Sequence, residues 1–476
     1  MRAVLSVDEC HQVDSVALES VSQSVLVDRA GSAVAKWALR LLGGGYGRRV
    51  VVIAGKGNNG ADGRVAAARL RLRGVRVDIV DAADAPGRLG ATTSVDLVID
   101  AAYGTGFKGS YVAPSVPVGV KVLAVDIPSG IDGNTGEASG EVLRADLTVT
   151  FGALKPGLLQ GDGPAHAGQV EVAGIGLDPS RARIWLVEDA DVSRLVPERG
   201  REAHKWQSGV VVVAGSPGMI GAASLCAHSA YRAGAGMVRL AVPGASGLEL
   251  PVSEAVSLEV PRHGWASAVL EVATRCGAVV LGPGIGRDKQ TTDDVRRVVA
   301  ESPVPVVVDA DGLFALGDSD HIREVAGSRP AGSGPVILTP HAGEFARIFG
   351  RPPGSDKVTE ALAASASTGS IFLLKGSTTV VAQRAETARV VTSGGPSLAT
   401  AGTGDVLSGA IGAFVARGTE PLEAAALAAH AHGRAAALGP SEGLVAGDVA
   451  DLLAKWLSML HQREPGKITG EQTRRG

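Results

Sequence analysis

The sequence predicts an α/β protein with parallel sheets covered by helices, because strand-like valine runs alternate with helical patterns along its whole length. The apolar runs are continuous rather than alternating, which indicates strands buried on both faces. A segment at 196–205 interrupts the pattern, since it is charged, contains proline and glycine, and has no periodicity. The sequence therefore predicts two α/β units joined by a linker.

The predicted strands fall into two series, one on each side of that linker. The first series comprises 50–54, 75–80, 95–100, 120–126 and 147–151. The second series comprises 210–214, 237–242, 278–281, 304–309, 336–339 and 371–375. Ligands of such folds bind at the carboxyl ends of the strands, so we expect functional residues in the turns that follow them.

The length of the chain, 476 residues, is too great for one ordinary core and predicts more than one domain. We place the first domain at 1–198, the second at 199–462 and a polar tail at 463–476. Each of the two larger ranges is long enough to bury a core of its own.

Composition argues against nucleic-acid and membrane partners. Aromatic residues make up only 3% of the chain, and the net charge of −3 arises from interspersed acids and bases. Cys10, Cys226 and Cys276 are odd in number and far apart, which excludes a disulfide framework and a CxxC metal site. There is no apolar signal core and no uncharged stretch long enough to span a bilayer, so we expect a cytoplasmic protein.

A glycine-rich turn, GKGNNGADG at 55–63, follows the first strand and precedes a helix. As a GxGxxG motif it is only a weak signal for dinucleotide binding. Asn58 and Asn59 are more specific, because they offer neutral oxygens and amide donors where a plain phosphate loop would have glycine or lysine.

Oxygen-bearing side chains end neighbouring strands of the first series. Asp100 and Asp126 each end a strand, and Ser129 lies in the turn after Asp126. With an asparagine at the same sheet edge, these residues could ligate a hard cation by oxygen alone, which fits K⁺ better than zinc. The alternative is that each aspartate only caps its own turn, although the clustering favours a site.

A later turn, GTGD at 402–405, opens a helix whose apolar face includes Val406 and Ala410. The free N–H groups at the start of a helix form an anion site. Asp405 would repel a phosphate there, so we interpret it as a base that takes a proton from a hydroxyl during phosphoryl transfer. The alternative is an ordinary N-cap aspartate.

Four blocks of the N-terminal half, GKGNNGADG, DAAYGTGFKG, VDIPSGIDGNTG and TVTFGALKPGLL, resemble the NAD(P)H-hydrate epimerases, the YjeF N-terminal domain family. The resemblance covers 30–177 and implies a Rossmann-like three-layer domain that interconverts the R and S forms of hydrated NADH and NADPH, or NAD(P)HX. It makes Asp126 the acid/base at the nicotinamide ring and Asn59, Asp100 and Ser129 the K⁺ ligands. Residues implied to bind NAD(P)HX are Asn58, Asn59, Gly60, Ala61 (a glycine in the family pattern), Asp62, Gly104, Thr105, Gly106, Phe107, Lys108, Gly109, Ser110 and Asp126.

Four blocks of the C-terminal half, LGPGIG, TPHAGE, LLKGSTT and LATAGTGDVLSG, resemble the ADP/ATP-dependent NAD(P)H-hydrate dehydratases, the YjeF C-terminal domain family. The resemblance covers 209–438 and implies a ribokinase-like α/β domain with Asp405 as the catalytic residue. The implied hydrate-binding residues are Ala222, Gly284, His341 and Asp405. The implied nucleotide-binding residues are Lys375, Gly376, Ser377, Thr378, Thr379 and Gly404.

Two residues of this half have an alternative interpretation, and a third departs from the pattern of the dehydratase family. His341 could merely brace a turn instead of contacting the hydrate. Glu344 could reach the phosphates through Mg²⁺ or could cap a helix. Gly395 stands where the dehydratase family often has asparagine.

Together the resemblances imply a bifunctional repair enzyme, both isomerase and lyase, that acts on NADHX and NADPHX. Epimerisation would supply the S hydrate, and dehydration would yield NAD(P)H, AMP and phosphate from ADP, which this domain pairing favours over ATP. K⁺ would serve the epimerase and Mg²⁺ the dehydratase, and a homo-oligomer is compatible with the sequence. The alternatives are a ribokinase-like kinase of the hydroxymethylpyrimidine or hydroxyethylthiazole type, and an N-terminal half that only binds a nucleotide or a protein.

Overall fold

The computed structural model describes residues 1–88, 94–245 and 252–462, so the predicted tail lies outside the described residues. The first of two compact units comprises Arg2–Trp185 with Ser355–Lys357, and the second comprises Met1, Leu186–Gly354 and the chain from Val358 onward. The two units divide at 185/186, which lies before the predicted boundary at 198/199. The predicted domain ranges 1–198 and 199–462 stay a prediction.

The first unit contains a parallel sheet with helices. Its strands are β1 (Arg2–Val4), β2 (Arg49–Ala54), β3 (Arg76–Asp81), β4 (Leu97–Ala101), β5 (Tyr111–Val112), β6 (Lys121–Val125), β7 (Gly140–Glu141), β8 (Leu147–Phe151), β9 (Gln169–Ala173) and β10 (Ile184–Leu186). Its helices are α1 (Val7–Leu18), α2 (Gln23–Leu42), α3 (Asn58–Arg71), α4 (Ala85–Arg88) and α5 (Gly163–Ala167). All five strands predicted for this series are confirmed, as β2, β3, β4, β6 and β8.

Six of these strands pair in parallel in the order β3–β2–β4–β6–β8–β9. Val34 of α2 and Leu70 of α3 pack with Val52 on one face, while Ile53 packs with Tyr111 on the other. The predicted α/β fold, with a sheet between two layers, is therefore confirmed. The strand order reverses between β2 and β4, and the gap beyond their carboxyl ends is the expected ligand site.

The second unit repeats this arrangement on a larger scale. Its strands are β11 (Gly209–Val213), β12 (Met237–Ala241), β13 (Val256–Ser257), β14 (Ala278–Leu281), β15 (Val306–Val308), β16 (Val336–Leu338), β17 (Ile371–Leu374), β18 (Thr379–Gln383) and β19 (Thr387–Val391). Its helices are α6 (Asp189–Leu195), α7 (Ile220–Arg232), α8 (Ala266–Ala273), α9 (Lys289–Glu301), α10 (Asp311–Leu316), α11 (Ser319–Gly327), α12 (Ala342–Phe349), α13 (Lys357–Thr368), α14 (Thr403–Ala416), α15 (Pro421–Ala436) and α16 (Ala446–Gln462).

These strands are hydrogen-bonded in the order β19–β18–β17–β16–β15–β14–β11–β12–β13. All pair in parallel except β18 and β19, which form an antiparallel hairpin next to β17. The order reverses between β11 and β14, which is the second expected ligand site. The six strands predicted for this series are confirmed, and the hairpin is an addition to them.

Helix α14 carries Asp405 and is buried around its whole circumference. It packs against β11, β14 and β15 on one side and against α7 and α15 on the other. A Cβ atom at Gly409 would lie 2.1 Å from the carbonyl oxygen of Cys226, and one at Gly412 would lie 2.3 Å from Val280. Glycine at these positions lets α14 approach closely enough to present its N-terminus at the carboxyl edge of the sheet. In the described ranges, no helix combines the length and apolar character needed to cross a membrane.

Candidate active sites

The turns after β2 and β4 touch through their backbones at the first switch point. A Cβ atom at Gly55 would lie 1.9 Å from the carbonyl oxygen of Ala102, and one at Gly60 would lie 1.9 Å from that of Gly55. Glycine is therefore required at both positions. Helix α3 begins at this contact with the exposed Asn58, and Ala61 is half-buried in its first turn.

Asn59, Asp100 and Ser129, the three predicted K⁺ ligands, lie together in this gap. Ser129 donates from Oγ to Oδ1 of Asp100 at 2.6 Å and from its backbone N–H to Oδ2 at 2.9 Å. Asn59 donates from Nδ2 to the carbonyl oxygen of Tyr103 at 2.9 Å, while its Oδ1 is buried with no partner in the described part of the chain. Burial raises the pKa of the Asp100 carboxyl. The cluster is thus lined by oxygens, one of which has its acceptor capacity unused.

Asp126, the predicted acid/base of the first unit, is paired with a buried lysine. Nζ of Lys155 donates to Oδ1 of Asp126 at 2.5 Å, and the lysine side chain is 4% exposed. The φ angle of Asp126 is 67°, in the left-handed region that residues other than glycine rarely adopt. Strain of this kind persists only where the surroundings determine the conformation, and it is typical of functional sites.

Asp62 of α3 is within electrostatic reach of Asp126. Burial raises the pKa of its carboxyl to about 8, and the negative charges of Asp126 and of Asp14 on α1 act in the same direction. Asp62 therefore carries a proton at neutral pH. Cys10, also on α1, is in electrostatic reach of Asp126 and Lys155, and burial raises the pKa of its thiol to about 11.

The predicted binding turn at 104–110 begins in this gap and ends at the surface. A Cβ atom at Gly104 would lie 3.6 Å from Cβ of Asn59. The ring of Phe107 stacks on that of Tyr103 with centroids 4.3 Å apart. Thr105 is half-buried, whereas Gly106, Lys108, Gly109 and Ser110 are exposed.

In the second unit, the turns after β11 and β14 meet at the switch point. The backbone N–H of Gly215 donates to the carbonyl oxygen of Pro283 at 2.6 Å. A Cβ atom at Gly284, whose φ is 65°, would lie 3.1 Å from Cβ of Ala222. The two small residues predicted to contact the hydrate therefore face each other, Ala222 from the start of α7 and Gly284 from the turn after β14.

Asp405 lies in the first turn of α14, at the carboxyl edge of the second sheet. The N-cap position belongs to Gly402, whose φ is 89°, and no side chain caps this helix. Burial raises the pKa of Asp405 to about 7, the charge of Asp309 acts in the same direction, and Lys375 opposes them. A carboxyl that titrates near neutral pH has the protonation behaviour that a general base needs.

Lys375 follows β17 and points its ammonium group at the residues beside Asp405. Nζ donates to Oδ1 of Asp309 at 2.8 Å and lies 4.0 Å from Oε2 of Glu344. A Cβ atom at Gly404 would lie 3.4 Å from the same Nζ. Two predicted nucleotide-binding residues are therefore adjacent, and the other four follow Lys375 through the β17–β18 turn to Thr379, the first residue of β18.

His341 and Glu344 cap helix α12 reciprocally. Nδ1 of His341 accepts from the backbone N–H groups of Gly343 at 3.0 Å and of Glu344 at 3.3 Å, while Oε2 of Glu344 accepts from the N–H of His341 at 2.9 Å. The side chain of His341 is still 60% exposed, and its Nε2 lies 3.5 Å from Oε2 of Glu344. A Cβ atom at Gly395 would meet nothing within 4 Å, so a glycine there reflects no steric requirement.

Comparison with known proteins identifies both halves. The profile of the YjeF-related protein N-terminus matches residues 23–89 and 81–157, and the NAD(P)H-hydrate dehydratase profile matches residues 210–458. The bifunctional NAD(P)H-hydrate repair enzyme Nnr of Mycobacterium leprae is 38% identical over 469 residues, which cover 93% of this chain and 95% of that protein. This chain belongs to the family of bifunctional NAD(P)H-hydrate repair enzymes.

A second bifunctional repair enzyme and one solved dehydratase structure are also similar to this chain. The corresponding enzyme of Moorella thermoacetica is 33% identical over 518 residues, covering 95% of this chain and 96% of that protein. A crystal structure of an ADP/ATP-dependent NAD(P)H-hydrate dehydratase from Bacillus subtilis, obtained with ATP and Mg²⁺, covers 58% of this chain at 28% identity, with a TM-score of 0.49, and 98% of its own chain. Membership confirms the predicted bifunctional repair enzyme, an isomerase and lyase, over the kinase alternative.

From the sequence, no role is assigned to two residues of the candidate sites, Lys155 and Asp309. Lys155 is a single cation within the apolar block TVTFGALKPGLL, and lysine is rarely buried without a partner, which was the available signal. Asp309 directly follows the strand β15, as Asp126 follows β6. Neither partner could be identified from spacing, because each pair joins residues that are 29 or 66 positions apart.

Proposed function

We propose that the first unit interconverts the R and S hydrates and that the second unit dehydrates the S hydrate with ADP, yielding NAD(P)H, AMP and phosphate. The observation that carries this proposal is a largely buried acid at the carboxyl edge of each sheet, Asp126 after β6 and beside Lys155, and Asp405 at the start of α14. Two such sites in one chain suit two consecutive steps on one substrate.

Epimerisation requires that the ring carbon bearing the hydroxyl lose and regain its oxygen. As the C–O bond breaks, the hydroxyl takes a proton and leaves as water, and the lone pair of the ring nitrogen forms a C=N bond. Water then adds to the opposite face and gives up a proton. Asp62, protonated at neutral pH, is suited to supply the first proton, and Asp126 to accept the second.

Dehydration is difficult because hydroxide is a poor leaving group. Asp405 would take the proton of the hydrate hydroxyl, whose oxygen attacks the β-phosphorus of ADP while AMP leaves. The lone pair of the ring nitrogen then expels phosphate, and loss of a proton from the neighbouring ring carbon restores the dihydropyridine. Ala222, Gly284 and His341 would contact the hydrate.

For the nucleotide, we assign Lys375 and Gly404, together with the turn at 376–379. The adjacency of Gly404 to Nζ of Lys375 supports this assignment, because that ammonium and the N–H groups at the start of α14 can both face phosphate. Mg²⁺ bound to the phosphates would use Glu344, the carboxylate nearest to Lys375 apart from Asp309.

For the first unit, we assign Asn58–Asp62 and Gly104–Ser110 to NAD(P)HX and Asn59, Asp100 and Ser129 to K⁺. The unpartnered Oδ1 of Asn59, the Asp100 carboxylate and the Ser129 hydroxyl form a donor set of oxygens only, which fits K⁺. A bound cation would offset the buried charge of Asp100 and fix the two turns that meet there. The cytoplasmic location and the absence of nucleic-acid and membrane partners remain part of this proposal.

The products test this proposal. Incubation of the protein with S hydrate, ADP and Mg²⁺ should release AMP, inorganic phosphate and reduced nicotinamide in equal amounts. A stable phosphorylated organic product with no gain of reduced-nicotinamide absorbance would contradict the dehydratase assignment.

A further inference from the structure

Lys155 has every N–H donor of its ammonium group engaged. Nζ donates to Oδ1 of Asp126 at 2.5 Å, to Oγ1 of Thr150 at 2.8 Å and to the carbonyl oxygen of Phe151 at 3.0 Å. An ammonium group has three N–H donors, so this geometry uses all of them. The lysine is thereby fixed in one orientation, with its charge directed at Asp126.

The two carboxylate oxygens of Asp126 have different surroundings. Besides Lys155, Oδ1 accepts from Oγ1 of Thr150 at 3.1 Å and from the backbone N–H of Phe151 at 3.4 Å. Oδ2 accepts no hydrogen bond from residues 1–88, 94–245 or 252–462, and the side chain is 15% exposed. One oxygen is therefore anchored, and the other is left for a ligand.

Apart from Lys155, the titratable groups around this carboxylate are mainly acidic. Asp62 of α3, and Asp14 and Cys10 of α1, are all within electrostatic reach of Asp126, and Glu9 and His11 lie at the edge of the group. Neighbouring carboxyls disfavour the charged form of an acid, whereas a close ammonium favours it. Lys155 is the cation in direct contact with Asp126.

We propose that Lys155 is a positioning residue of the epimerase step, which anchors Oδ1 of Asp126 so that Oδ2 faces the nicotinamide ring as the proton acceptor. The inference rests on the proposed function of the first unit. It adds that the two carboxylate oxygens of Asp126 have different roles, because Oδ1 is held in place and Oδ2 accepts the proton. Lys155 itself touches no substrate in this arrangement.

Lys155→Met tests the proposal, because methionine keeps the length of the side chain but has neither charge nor N–H donors. Epimerisation should fall about 10²-fold in kcat with KM nearly unchanged, since misplacement of a reacting group costs roughly that factor. The pH below which epimerisation declines should move upward, because the carboxylate has lost its cation. Lys155→Arg should recover part of kcat, and Lys36→Met on the exposed side of α2 should change nothing.

Three further readouts separate the outcomes. The double variant Lys155→Met, Asp126→Asn should be no slower than Asp126→Asn alone, because the two residues act as a unit. If Lys155→Met does not fold, Thr150→Val decides the question, since it removes one anchor of Oδ1 without changing any charge. Unchanged kcat and pH profile in Lys155→Met, or unchanged kcat in Thr150→Val, would overturn the proposal, whereas failure of the wild-type protein to epimerise would contradict the proposed function itself.

Discussion

Lys375 holds Asp309 through a hydrogen bond of 2.8 Å from Nζ to Oδ1, and Ser408 donates to the other carboxylate oxygen at 2.7 Å. Asp309 is only 2% exposed, and it lies close enough to Asp405 to raise the pKa of that carboxyl. In the first unit the buried Lys155 instead holds Asp126, the residue that we propose as the reacting acid. Under this proposal the two ion pairs have different roles: Lys375–Asp309 tunes the neighbouring Asp405, whereas Lys155 orients Asp126 directly.

Asp309→Asn should move the pH dependence of dehydration toward acid. The pKa of Asp405 is raised to about 7 by burial and by the charge of Asp309. In the wild-type protein, kcat/KM for S hydrate should therefore rise with pH and level off above about pH 7, as Asp405 loses its proton. Removing the negative charge of Asp309 lowers the pKa of Asp405, so the midpoint should fall. Rate profiles with pH would measure this, and an unmoved midpoint would contradict it.

Asp62→Asn should stabilise the first unit more at alkaline than at acid pH. An unfolded aspartate has a pKa of about 3.9, whereas burial raises that of Asp62 to about 8 in the folded protein. The folded state thus binds the extra proton, and its stability falls as pH rises between these values. Thermal unfolding at about pH 5 and about pH 8 should show the advantage of Asp62→Asn growing with pH. The same substitution at the exposed Asp78 is the matched control, and an equal advantage at both pH values would count against the assignment.

K⁺ should stabilise the first unit through Asp100. A cation that binds only the folded state raises the unfolding temperature as its concentration rises. The wild-type protein should respond to K⁺ and not to a bulky organic cation at equal ionic strength, and Asp100→Asn should abolish the response. Epimerisation should depend on K⁺ in parallel. If the wild type and the variant respond alike, the Asn59–Asp100–Ser129 cluster is only structural capping.

Two alternative cuts test the domain ranges. Asp189 of α6 is hydrogen-bonded to His430 and Arg434 of α15 at 2.9 Å each. A fragment of 199–462 lacks these bonds, so it should unfold at a lower temperature than a fragment of 186–462, although both should dehydrate S hydrate. The fragment of 1–198 should keep epimerisation, and mixing it with either fragment should restore turnover of R hydrate. Equal stability of the two C-terminal fragments would support the boundary at 198/199.

The central strands could be predicted from sequence because they are buried on both faces and are read as continuous valine runs. Strand β9 (Gln169–Ala173) escaped because it lies at an edge and mixes Gln and Glu with its apolar residues. The β18–β19 hairpin was not predicted because its strands are short, carry polar residues such as Thr379 and Arg389, and pair antiparallel at the end of a parallel series. Both additions depend on position in the sheet, which composition does not encode.

The site residues also separate into those that could be predicted from sequence and those that depend on the three-dimensional structure. Asp100 and Asp126 could be predicted, because a strand end followed by a turn marks the carboxyl edge of the sheet. The pairing of Lys155 with Asp126 could not, since it depends on how the turn after β8 folds back under the end of β6. The unequal use of the two Asp126 oxygens likewise exists only in three dimensions.

The most direct test of the whole account follows reduced-nicotinamide absorbance after mixing R and S hydrates with ADP and Mg²⁺. The wild-type protein should convert both hydrates completely. Asp126→Asn should stop at the amount of S hydrate initially present, and Asp405→Asn should lose dehydration by about 10²–10⁴-fold while R and S still equilibrate. Asp293→Asn, an exposed position on α9, is the matched control and should behave as the wild type. Complete conversion by Asp126→Asn at the wild-type rate, or undiminished dehydration by Asp405→Asn, would contradict the account.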